Sequence, residues 1–137
     1  MANAIYDKAR EAFLSGNISW SSDTIKLCLV RGYTPNTSTH EFLSDVTGGG
    51  GGTIVATSSA LSGKTVTAGV ADANDVTLTA VPAGSACNHI VFYKDTGTSG
   101  TSPLICVFDT ATGLPVTPNG GDITCIFDSG SNRIFKL

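Results

Sequence analysis

Strong turn signals punctuate this chain at intervals of about a dozen residues, the spacing of short strands. Ala73-Asn74-Asp75, Pro82-Ala83-Gly84, the stretch 95–100, Thr112-Gly113-Leu114-Pro115, Pro118-Asn119-Gly120-Gly121 and Asp128-Ser129-Gly130 all carry residues that favour turns. Between them lie short runs rich in Val, Ile, Thr and Phe. The strand candidates are 24–30, 53–60, 64–70, 76–81, 89–93, 104–109, 122–127 and 133–137. Val76, Leu78 and Ala80 alternate with Thr77 and Thr79, the period of a half-buried strand. Residues 24–30 are apolar on both faces, as in a strand covered on both sides. Strands alternating with long helices are missing from the pattern, which argues against an α/β fold. The expected class is mainly β, an antiparallel sandwich or barrel of about seven or eight strands. The whole of 1–137 reads as a single domain.

One helix interrupts this pattern. Over 3–15, Ile5, Ala9, Ala12 and Phe13 recur at helical spacing, Asn3 is placed to cap the start, and Gly16 stands just past the end. Three turns are marginal in water, so the stripe must dock, either on its own core or, as an arm, on a neighbouring subunit. Tyr33-Thr34-Pro35-Asn36-Thr37 reads as a turn. His40-Glu41-Phe42-Leu43 reads as one helical turn capped by Ser38 or Thr39. The five glycines 48–52 read as a flexible loop.

The residues offer little chemistry. Gly63-Lys64-Thr65 lacks the first glycine of a phosphate loop, since Ser58 holds that place, and a β pattern follows it. His40 and His89 belong to no metalloprotease motif and read as surface or capping histidines, and no nucleophile elbow is present. Cys28, Cys87, Cys106 and Cys125 lie too far apart for a zinc site. Three of them interrupt apolar runs, so buried free thiols are expected over a disulfide. Asp95, Asp109, Asp122 and Asp128 stand at strand ends, and Asp72 and Asp75 share a turn. Bonds to backbone amides are their expected work, ahead of a Ca²⁺ site or a glycosidase pair. No metal, no cofactor and no catalytic residue is expected, and the chain reads as a non-enzyme. With a net charge of −3 and only eight scattered basic residues, nucleic acid is not an expected partner. Met1-Ala2-Asn3-Ala4 does not open a signal peptide, and no stretch is long and apolar enough for a membrane span.

Charged residues make up 14% of the chain, against about 25% in an average soluble domain, so Thr, Ser, Asn and Gly must supply the polar surface. A surface poor in charge favours coverage by partners. Ile5, Phe13, Tyr33, Pro35, Phe42, Phe135 and Leu137 are the candidate interaction residues, each apolar or aromatic and near an end or a turn.

Several segments carry a resemblance. They include Ala9-Arg10-Glu11-Ala12-Phe13-Leu14, Asp23-Thr24-Ile25-Lys26, Tyr33-Thr34-Pro35-Asn36, Thr39-His40-Glu41-Phe42-Leu43-Ser44-Asp45, Leu61-Ser62-Gly63-Lys64-Thr65-Val66 and Tyr93-Lys94-Asp95-Thr96-Gly97, together with the stretch 109–123. In combination they resemble small β-rich structural proteins of tailed bacteriophages. The length of the glycine run and the cysteines in the strands depart from that group. The resemblance implies a virion component made in the bacterial host cytoplasm. The expected role is a capsid decoration or cement protein that binds the major capsid protein and itself, as a homotrimer or another cyclic homo-oligomer. A tail or neck component is the alternative, and a sugar- or Ca²⁺-binding β module ranks below both.

Overall fold

The structure, a computed structural model, describes residues 3–110, 113–127 and 134–136. It is mainly β, with all its sheets antiparallel and not closed into a barrel. The five-stranded sheet runs in the order β1 (Ala4–Ile5), β8 (Leu104–Phe108), β7 (His89–Lys94), β2 (Ile25–Arg31), β3 (Thr53–Thr57). A three-stranded sheet pairs β10 (Phe135–Lys136), β5 (Val70–Asp72) and β4 (Thr65–Thr67), and a two-stranded one pairs β6 (Val76–Leu78) with β9 (Ile123–Cys125).

The apolar run of β2 is continuous because the large sheet is covered on both faces. Leu27, Leu29, Phe92 and Cys106 face the small sheets and pack with Trp20, Leu61, Leu78, Val81 and Phe135. Cys28, Val30, Val91, Leu104 and Val107 face the other way. There Tyr6, Ala9 of α1 (Asp7–Ser15) and Val46 of α2 (Leu43–Thr47) close over them. Removing this much apolar side-chain surface from water is the main term holding the fold together. All four cysteines are free and buried within these clusters.

Four local readings change. The helix does not begin at Asn3. Ala4 and Ile5 pair with Val107 and Cys106 as β1, and Tyr6 opens α1. Asn3 instead clamps the end of β8: its Oδ1 accepts from the amides of Asp109 and Thr110, and its Nδ2 donates to Thr110 O. Sheet pairing outweighs the helical stripe here because the β8 edge would otherwise be bare. Gly16 does end the helix, at φ 81°.

The candidate at 64–70 is a hairpin, with its turn at Ala68 (φ 53°) and Gly69 (φ 80°). That division, with β1, accounts for ten strands among the described residues in place of the seven or eight expected. The helical turn expected over 40–43 starts at Leu43. Asp45 caps it, its Oδ2 accepting from the amides of Glu41 and Phe42.

The glycine run is a packed turn rather than a loose loop. Gly48, Gly50 and Gly52 donate to Ser44, Asp45 and Val46 carbonyls, and Gly50 O accepts from Thr34. A Cβ on Gly50 would stand 2.5 Å from Tyr33 Cδ1 and 3.0 Å from Val46 O, so only glycine lets the Tyr33 ring lie there. No helix among the described residues is long and apolar enough to cross a membrane.

Candidate functional site

The segment after β2 folds back on itself. Asn36 Oδ1 accepts from the amides of Ser38 and Thr39, and Asn36 O accepts from His40 N. Ser38 and Thr39, expected to cap the helical turn, instead give their amides to Asn36, and the cap of α2 is Asp45. This turn brings His40 against Tyr33, and the two rings stack with centroids 5.7 Å apart. Tyr33 OH lies 2.7 Å from Tyr6 OH and 2.8 Å from His40 Nδ1.

The proton order in this chain follows from its far end. Asn36 N–H, which can only donate, points at His40 Nδ1 at 3.3 Å. Nδ1 is therefore an acceptor, Tyr33 O–H donates to it, and Tyr6 O–H donates to Tyr33. Burial pushes the Tyr33 phenol up to about 12 and raises that of Tyr6 as well. His40, expected on the surface, is thus a buried member of a polar network that pins the 33–40 turn to the N-terminal segment.

His89 meets the same tyrosine from the side, edge-on at 5.6 Å, and is 9% exposed. Burial lowers its pKa, with the nearby Asp109 carboxylate acting in the opposite direction. Its Nδ1 has no hydrogen-bond partner among the described residues. Tyr33, Thr34, Pro35, Asn88, His89, Asp109 and Pro115 together line a cleft of about 440 Å³.

A second cavity, of about 530 Å³, lies between the large sheet and the β6–β9 pair, walled mainly by Leu27, Leu29, Phe92, Leu78 and Ile123.

The candidate interaction residues divide between these places. Tyr33 and Pro35 meet in the cleft, although Tyr33 is only 4% exposed. Phe13 and Phe135 meet each other, centroids 6.0 Å apart, and Phe135 also packs edge-on against Trp20 at 5.3 Å. Ile5 is half-buried in β1, and Phe42 bridges to Pro103 beside α2. Leu137 lies outside the described residues. Tyr33 and Phe135 therefore spend their rings mostly on the chain's own core.

Sequence reasoning passed over the residues that stand out on the surface. Leu14 is 90% exposed, Ile126 77% and Val66 59%. Leu14 had a signal, since it lies off the apolar stripe of its helix. Val66 had none, because its exposure follows from β4 being the outer strand of its sheet.

Three of the aspartates, Asp75, Asp95 and Asp122, do the backbone work expected of them. Asp75 accepts from Phe127 N, Asp95 from Gly97 N and Asp122 from Ala80 N. Asp128 lies outside the described residues. The Lys26 ammonium, 2.8 Å away, and the Gly97 amide hold the Asp95 carboxyl below its usual range. Among the described residues, no three His, Cys, Asp or Glu side chains gather where they could hold a metal ion. No protein-family model matches the chain, and no curated protein matches it.

Proposed function

We propose that the chain is a structural component of a tailed-phage virion, a decoration or cement protein. On this reading it sits on the head as a cyclic homo-oligomer, most simply a trimer, and bridges major capsid subunits. The observation that carries the proposal is an exposed, uncharged sheet edge together with three exposed apolar side chains. Leu14, Val66 and Ile126 stand in solvent, and β4 (Thr-Val-Thr) is exposed along its whole length with no charged residue in it. Such an edge is a ready template for another chain, and natural proteins usually blunt one with charge, proline or a bulge.

The mechanism needs no chemistry. Packed DNA pushes capsomers apart, and an oligomer spanning their joints adds contacts in parallel that oppose the separation. Weak contacts engaged together give high avidity. Deleting 1–15 would remove Tyr6 and Ala9 from the core, so point variants make the cleaner test. Leu14→Lys and Val66→Lys should fold as the parent does and bind empty heads with lower occupancy. Unchanged occupancy in both, or parent protein that binds tails and leaves heads bare, would remove the decoration reading.

A further inference from the structure

Most of the described cations are engaged. The four ion pairs use Lys8, Arg10, Lys26 and Lys94, and Lys64 Nζ donates to Asp23 O. Arg31 is not. It closes β2 opposite Thr53 and is half-buried. Its Nε is shut off from solvent with no hydrogen-bond partner, and it forms no ion pair among the described residues. A cation that has shed part of its water without gaining an anion is a cost to the fold.

The guanidinium has a defined neighbour. It lies against the backbone of Gly84, where a Cβ would stand 2.7 Å from Nη2, 3.0 Å from Nη1 and 3.2 Å from Cζ. Gly84 itself is anchored, its amide donating to Pro118 O, and the flanking Val81 and Cys87 amides donate to Gly121 O and Val116 O. The missing side chain at 84 leaves room for the planar fork, and the pinned loop supports that fork from one side.

We infer that Arg31, seated on Gly84, is a receptor for one carboxylate supplied by another protein chain of the assembly. The fork offers parallel N–H donors that match a carboxylate, and Arg keeps its charge at any working pH. A polyanion fits poorly, because the chain carries a net charge of −3 and holding nucleic acid takes clustered cations. The inference rests on the assembly reading, since it names the chemistry of the partner.

The test has three arms. In the isolated protein, the Nε–H resonance of Arg31 is followed by NMR during titration with sodium acetate, against sodium chloride at equal ionic strength. A saturable, acetate-specific shift is expected at Arg31, absent at the exposed Arg10 and reduced in Gly84→Ala. In the second arm, Arg31→Met should unfold at an equal or higher denaturant midpoint, because it removes an unpaired cation, whereas a purely structural arginine would give a lower one. In the third arm, parent protein should coat phage heads, and Arg31→Gln should bind at least about tenfold more weakly. No acetate-specific shift, a lowered midpoint for Arg31→Met, or full head binding by Arg31→Gln would each overturn the inference. Failure of the parent protein to bind heads would sink the assembly reading instead, and the acetate titration would still decide the site.

Discussion

Gly50→Ala and Gly49→Ala, the same change at adjacent positions, should have opposite effects. At Gly50 the new methyl would stand 2.5 Å from Tyr33 Cδ1 and 3.0 Å from Val46 O. The carbonyl is backbone and cannot step aside. The tyrosine cannot swing out either, because its ring is 4% exposed and its hydroxyl is held by Tyr6 and His40. Overpacking of this kind costs about 1–3 kcal/mol. Displacing the ring also endangers two buried hydrogen bonds, each worth about 1 kcal/mol net. Against this, Ala in place of Gly restricts the unfolded chain and returns about 0.4–1 kcal/mol. The balance is a loss of about 2–4 kcal/mol. At Gly49 the methyl would stand 3.7 Å from His40 Nε2, an ordinary contact, so the unfolded-state gain survives and the variant should match or exceed the parent by up to about 1 kcal/mol. Urea unfolding at neutral pH measures both. If the two variants agreed within about 0.5 kcal/mol, the turn would not be packed against Tyr33, and the flexible loop expected from five glycines would be the better account.

Two further outcomes follow from buried groups. His89 has a folded pKa below its ordinary 6.5, so the fold prefers the neutral ring. Its contribution is fully present above about pH 6.5 and is lost as the pH falls from there through the folded value. Unfolding free energies at pH 7.5 and 5.5 should therefore differ less in His89→Gln than in the parent, and an equal difference would refute the assignment. All four thiols are buried, and burial raises that of Cys28 to about 12 and that of Cys106 well above the usual range. A thiol reagent at pH 8 should find almost no reactive cysteine in the native protein and four in urea; rapid native reaction would contradict the placement.

What the sequence made legible is what local pattern controls. The continuous apolar run of β2 required cover on both faces, and two layers provide it. Gly16 ends its helix as the pattern demands. Three of the misreadings come from partners elsewhere in the chain. Asn3 looks like a cap until the end of β8 arrives beside it. His40 looks exposed until Tyr33 and Tyr6 claim it. The glycines 48–52 look loose until the Tyr33 ring fills the space that their missing side chains leave. Ala68-Gly69 carried a readable signal, since glycine inside a strand pattern often marks a turn. Arg31 carried none, because its lack of a carboxylate partner among the described residues appears only once the sheets are assembled.

Quantitative mass spectrometry of purified virions, with heads and tails separated, puts the central claim to its most direct test. If apolar residues and an uncharged sheet edge are exposed in order to be covered on a shell, the chain should be present at on the order of hundreds of copies per particle, nearly all with the heads. Its absence from particles, or a handful of copies confined to tails, would contradict the account.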